Sequence, residues 1–139
     1  MKSYVVDSSV VAAAMFQEPS VDCALRVLTG GHALFAPDLI YAEVANVIRK
    51  RYIPGKIDEF EAQVFLADAR QLPLEITPCG ELAELAMRLV IATKRSAYDC
   101  MYLALAGNTN TVMVSADQRL INGLASTPLA RRVVWLGDM

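Results

Sequence analysis

Four carboxylates stand out along this 139-residue chain: Asp7 in "YVVDSS", Glu43 in "LIYAEVANVI", Asp99 in "SAYDCMYLALAG" and Asp117 in "VSADQRL". Each lies in or beside an apolar run, and ionised carboxylates are almost never fully buried without a partner. Removing one from water costs several kcal/mol even after the protein relaxes. Gathered together, unpaired carboxylates also repel one another and raise one another's pKa values. Hard divalent cations remove that conflict, and an all-oxygen donor set suits Mg²⁺ or Mn²⁺. Mg²⁺ typically combines one or two carboxylates with waters and substrate phosphates, which points to phosphoryl chemistry.

Each acid also has a local explanation. Asp7 and Asp117 follow apolar runs and precede helix-like stretches, where Asp is a favoured N-cap worth about 1 kcal/mol. Ser96 and Asp99 have the spacing of a capping box, although the box prefers Glu or Gln at its last position. Glu43 is different. Its neighbours at three and four residues are Leu39, Ile40, Asn46 and Val47, a largely apolar stripe in mid-helix, where a cap has no use. Capping therefore explains single acids and leaves the set of four unexplained.

The elements that must carry these acids are legible as alternating runs. Strands are expected at 3–6 ("SYVV"), 33–36 ("ALFA"), 73–76 ("PLEI"), 111–115 ("TVMVS") and 132–136 ("RVVWL"). Helices are expected between them, one opened by Pro37 in "PDLIYAEVANVIRKR" and one in "KIDEFEAQVFLADARQL" with Ile57, Phe60, Val64 and Phe65 at helical spacing. Gly30 and Gly31 close the helix before the second strand. No two strands are close enough for an obvious hairpin, so the fold class is α/β on a mainly parallel sheet. Such sheets bind ligands outside the carboxyl ends of their strands, where Asp7 and Asp117 fall. No linker or repeat divides the chain, which is expected to form one domain over residues 1–139.

Composition removes several function classes. Hydrophobic residues make up 55% and charged residues 20%, which argues against disorder and for some apolar surface covered by a partner or second copy. A net charge of −2 supplies no global field for nucleic acid, so any such contact rests on local groups such as Arg49 to Arg51, Lys94 with Arg95, or Arg131 with Arg132. At helix ends these residues also suit the macrodipole. Cys23, Cys79 and Cys100 show no metal-ligand spacing and are expected as reduced thiols. His32, the one histidine, precedes the second strand and is expected in a surface loop. The apolar start is interrupted by Asp7, Ser8 and Ser9, unlike a signal peptide, and the longest uncharged run contains the turn-like "GNTNT". A cytoplasmic protein with no membrane segment is the expectation.

Taken in order and spacing, "YVVDSSVVAA", "APDLIYAEVANVI", "YDCMYLALA" and "VSADQRL" resemble the PIN-domain ribonucleases, especially VapC-type toxins of toxin–antitoxin pairs. The resemblance runs from residue 3 to about 136. It implies a three-layer sandwich with helices on both faces of the sheet and an acidic pocket at the strand ends. It also implies Mg²⁺- or Mn²⁺-dependent cleavage of RNA. Carried over motif by motif, the four acids become Asp7, Glu43, Asp99 and Asp117, with Asp7, Asp99 and Asp117 as metal ligands. Glu43 would bind a second ion or orient the attacking water, and Ser8 and Ser115 match the family's accompanying hydroxyls. Arg95, one turn before Asp99, would offset pocket charge or meet a phosphate. The resemblance further implies a homodimer and a small antitoxin whose tail occupies the pocket.

Other phosphoryl-transfer families fit less well. Haloacid-dehalogenase-type phosphatases need an aspartate two residues after the first, where this chain has Ser9, and receiver domains need a lysine that "VSADQRL" lacks. The remaining alternative is a PIN fold retained as a binding or assembly module, which sits uneasily with four intact acids. Phe60, Val64 and Phe65 are candidates for partner surfaces, with ordinary core packing the simpler expectation.

Overall fold

Tyr4 and Val6 point to one side of the first strand and Val5 to the other, because successive strand residues alternate faces. All three are buried, which requires a layer on each side. A computed structural model describes residues 2–139 and supplies both layers. The elements are β1 (Ser3–Val6), α1 (Ser8–Met15), α2 (Val21–Thr29), β2 (Ala33–Pro37), α3 (Leu39–Tyr52) and α4 (Glu59–Arg70). They continue with β3 (Leu74–Thr77), α5 (Cys79–Thr93), α6 (Ala97–Asn108), β4 (Val112–Ser115), α7 (Gln118–Leu124) and β5 (Val133–Trp135).

The sheet order is β3-β2-β1-β4-β5, and every pairing is parallel. On one face Tyr4, Val6, Leu34 and Val114 pack beneath α1 to α4. On the other, Val5, Met113 and Val133 pack beneath α5 to α7. The α/β sandwich expected from the alternating runs is therefore present, with the parallel character complete. The chain builds outward from β1 to β2 and β3, then returns to add β4 on the opposite side. That reversal opens a crevice at the carboxyl ends of β1 and β4, the usual ligand position in such sheets.

Helix α6 is the element that most constrains this crevice. Cys100 and the run from Tyr102 to Ala106 are all buried, so nearly every side of the helix beyond its first turn meets protein. Its Ala-rich centre lets it press on β1, β2 and β4 while its first turn stays at the crevice mouth. Ser96 caps it by accepting the Asp99 amide at 3.0 Å. Of the expected capping box, this half is present, whereas the reciprocal box is completed at the start of α4 by Asp58 and Glu61.

Two local expectations need correction. Pro37 ends β2 rather than opening α3, pairing with Thr77 in the sheet register. The β1 side of the ladder stops at Phe35, so the missing Pro37 amide forfeits no bond there. Asp38 then turns the chain, its amide donating to Thr77 and its carboxylate accepting the Cys79 amide. Phe60 and Val64 are not core: Phe60 is 77% exposed and Val64 40%. At 3.6 residues per turn, Ala62, Phe65, Leu66 and Ala69 take the inward face of α4, leaving positions 60 and 64 outside. Phe65 does pack inside, its ring 5.0 Å from that of Phe16. His32 lies just before β2 as expected, half-buried against the Tyr4 ring, and all three cysteines are free.

Leu103 is buried at the middle of α6. Leu103→Ala is expected to lower unfolding free energy by about 2–5 kcal/mol, read from urea denaturation at neutral pH. A loss below about 1 kcal/mol would mean that the site around α6 collapses easily and that the helix is no rigid support.

Candidate functional site

The carboxylate of Asp7 is held by two strand-to-helix junctions at once. Directly after β1 the residue adopts an extended conformation as the N-cap of α1, and its Oδ1 accepts the Ser9 amide at 3.0 Å and the Val10 amide at 3.3 Å. The Ser9 hydroxyl donates to the same oxygen. From the end of β4, the Ser115 hydroxyl donates to Oδ2 at 2.6 Å. Both serines are held in turn: Ser9 Oγ accepts the Ala116 amide at 2.8 Å and Ser115 Oγ accepts the Asp117 amide at 3.1 Å. This network ties residues 7–10 to residues 115–117, more than a hundred positions apart in the chain.

Asp7 is only 8% exposed. Burial is the main force on its titration and pushes its pKa up to about 6, against the hydrogen bonds from Ser115, Ser9 and Val10; repulsion from Glu43 adds to the rise. Glu43, half-buried on α3, is held above the usual range by burial and by Asp99, with a hydrogen bond from Tyr102 opposing. That bond, Tyr102 Oη to Glu43 Oε1, measures 2.5 Å. Burial drives the Tyr102 phenol far above its ordinary pKa, so it remains a donor. Asp99, in the first turn of α6, is likewise raised, by burial first and by Asp117, while Arg95 pulls it down. The Arg95 guanidinium lies 3.5 Å from Asp99 Oδ2. Asp117 is exposed and caps α7, its Oδ1 accepting the Arg119 amide at 3.0 Å.

Electrostatic repulsion links the four expected acids pairwise, from Asp7 to Glu43, Glu43 to Asp99, and Asp99 to Asp117. Among the described residues, no three His, Cys, Asp or Glu side chains are already drawn into chelating geometry around one point. Mg²⁺ needs no closed cage, since it dehydrates reluctantly and keeps several waters beside one or two carboxylates. The oxygen-only donor set and the unrelieved mutual repulsion both suit such a hard cation.

Of the two expected hydroxyls, Ser115 meets Asp7, whereas Ser8 lines a groove beside Glu43. The serine that touches Asp7 from α1 is Ser9, one position later, because the N-cap geometry presents that hydroxyl to the cap carboxylate. Sequence reasoning missed Tyr102 and Gly123. Tyr102 sits four residues after Tyr98 on an otherwise apolar helix and gave no signal apart from its own phenol. Gly123 gave one, as an isolated glycine inside a helical pattern. A Cβ there would come within 2.7 Å of Arg95 Nη1, so the missing side chain makes room for the arginine that reaches Asp99.

The raised titrations set a sign for stability. A carboxyl whose folded pKa lies above its unfolded value favours folding fully at low pH and weakens it as pH rises through the folded value. The metal-free protein is therefore expected to lose the Asp7 contribution as pH rises from about 4 through 6, the reverse of the usual acid-sensitive carboxylate. Asp7→Asn is expected to be more stable than the natural chain at pH 7, by up to about 3 kcal/mol, with the gap closing toward pH 4. Chemical denaturation with chelator present, repeated across that window, measures it; a gap of the opposite sign would mean that Asp7 is not strained.

A family model described as PIN domain matches residues 4–123. The chain is 31% identical over 126 residues to ribonuclease VapC9 of Mycobacterium tuberculosis, covering 90% of this chain and 94% of that protein. In fold it is similar to PAE2754 of Pyrobaculum aerophilum, with a TM-score of 0.71 at 19% identity over 99% of this chain and 85% of that one. It is also similar to VapBC2 of Rickettsia felis, solved bound to a DNA fragment from its promoter, with a TM-score of 0.63 at 14% identity and 96% of each chain covered.

Proposed function

The chain belongs to the PIN-domain family and, within it, to the VapC ribonucleases, and from that premise we propose a metal-dependent endoribonuclease acting as the toxin of a toxin–antitoxin pair. The observation that carries the reading is the buried Asp7 carboxylate, strained at the crevice between β1 and β4 and followed by three further acids along its mouth. A structural cap gains nothing from such strain, whereas a cation ligand is relieved of it when loaded.

In this reading Asp7, Asp99 and Asp117 hold Mg²⁺ or Mn²⁺, directly or through water, and the bound ion supplies polarisation of the scissile phosphate and a more acidic attacking water. Ser9 and Ser115 fix the Asp7 carboxylate so that both oxygens keep their orientation. Tyr102 holds one oxygen of Glu43 at 2.5 Å, leaving the other to orient water or assist a second ion. Arg95 limits the repulsion on Asp99 while no metal is present. Ser8 beside Glu43 faces the groove by which substrate reaches the acids. Local cations must supply the attraction for RNA, since the acids repel it.

The domain acts as one unit spanning residues 1–139, in the cytoplasm with its RNA. Its partner is a small antitoxin that covers the acidic pocket, in keeping with the VapBC2 assembly of the Rickettsia felis neighbour. A homodimer accounts for apolar side chains that the fold leaves outside, such as Met87 and Ile91 one turn apart on α5. No helix among the described residues is long and apolar enough to cross a membrane.

Asp7→Asn and Asp99→Asn are each expected to lower Mg²⁺-dependent cleavage of RNA by about a hundredfold or more with the fold retained by circular dichroism. Cleavage that survives excess chelator, or survives both substitutions, would sink the mechanism. Calorimetry with Mn²⁺ separates it from a PIN fold kept only for binding, because that module shows no heat that Asp99→Asn abolishes. Light scattering at micromolar concentration is expected to give twice the mass of one chain; a monomer would remove the dimer.

A further inference from the structure

The triplet Arg49, Lys50 and Arg51 near the end of α3 points in three directions, as successive helical residues must at about 100° apart. Arg51 is engaged, 3.8 Å from Glu18 and stacked 4.5 Å over the Phe16 ring. Arg49 faces a separate hollow shared with α4. Lys50 lies on the same stripe of α3 as Glu43, seven residues on, and lines the groove that Glu43 and Ser8 line. It makes no ion pair among the described residues. Tyr98, the residue before Asp99, also lines this groove of about 470 Å³ and is 63% exposed.

We propose that this groove is the track for single-stranded RNA beside the acidic cluster, with Tyr98 stacking on the nucleobase next to the scissile phosphate and Lys50 holding a phosphate further along. The assignment deepens the ribonuclease reading and rests on it. Single-strand binding combines cations along the backbone with aromatic faces for the bases, and this groove supplies one of each, Lys50 and Tyr98. Seven residues of helix at about 1.5 Å each put Lys50 about 10 Å from Glu43 along α3, the reach of one to two nucleotides. Tyr98 lines the same groove as Glu43, so a base on its ring leaves the neighbouring phosphate beside the acids. The groove also differs from the hollow lined by Val11, Met15, Leu28 and Phe65, which offers a phosphate nothing.

The test uses the full chain with an eight-residue single-stranded RNA carrying 2-aminopurine, and Ca²⁺ in place of Mg²⁺ to hold cleavage. The natural chain is expected to quench the probe by stacking. Tyr98→Ala is expected to abolish quenching and weaken binding about tenfold, while Tyr98→Trp retains both. Lys50→Ala is expected to weaken binding and to reduce the slope of log affinity against log salt by about 0.7, with Lys50→Arg restoring it. Natural affinity and quenching in Tyr98→Ala, or an unchanged salt slope in Lys50→Ala, would overturn the track. So would a groove that takes an antitoxin-derived peptide but not the oligonucleotide. Failure here is separable from failure of the nuclease reading: cleavage lost in Asp7→Asn but natural probe binding in Tyr98→Ala leaves the nuclease standing and removes only the track.

Discussion

The Asp7 carboxylate, buried where β1 and β4 end, is the constraint around which the site is built. Its two oxygens collect donors from both junctions, amides and a hydroxyl from the start of α1 and the Ser115 hydroxyl from the end of β4. Without those donors a charge so deep would cost several kcal/mol, and with them it remains strained. The same bonds extend, beyond the strand ends, the parallel ladder by which β1 and β4 join the two halves of the doubly wound sheet. A structural link and an incipient cation site thus occupy the same atoms.

The other three acids are placed by elements packed against that junction. Asp99 rides on the first turn of α6, whose remaining turns are fixed among β1, β2 and β4. Glu43 projects from α3, and the buried phenol of Tyr102 on α6 sets its direction. The Tyr102 bond therefore couples two helices belonging to opposite layers of the sandwich. Asp117 caps α7 two residues beyond Ser115, whose hydroxyl ends β4 and accepts its amide. Rigid elements carry all four, which suits a site whose ligands must keep their geometry without a closed cage.

The fold was largely legible because its strands are short, β-branched and separated by helices with clear starts. The five expected strands, and the helices expected in "PDLIYAEVANVIRKR" and "KIDEFEAQVFLADARQL", fall within a few positions of their expected places. Where expectation failed, a local rule met a tertiary alternative. Pro37 suits a first helical turn, yet an outer stretch of β2 accepted it because the β1 ladder had already ended. Phe60 and Val64 share the helical period of the core residues and fall on the wrong side of α4, since periodicity defines a stripe but not which stripe is covered.

The types of the four acids, their positions after strands or within apolar helices, and the chemistry of an oxygen-only donor set were determined by the sequence alone. Family membership was legible there too, since four short motifs in register constrain more than any one of them. Only the tertiary structure decided that the Ser115 hydroxyl meets Asp7, that Tyr102 holds Glu43, and that Gly123 admits Arg95 to Asp99. It also set Arg51 against Glu18 and the Phe16 ring. The physical reason is one of range. Strand and helix periods are set by neighbours a few residues apart, whereas a hydrogen bond across the sheet depends on where distant segments are brought by packing.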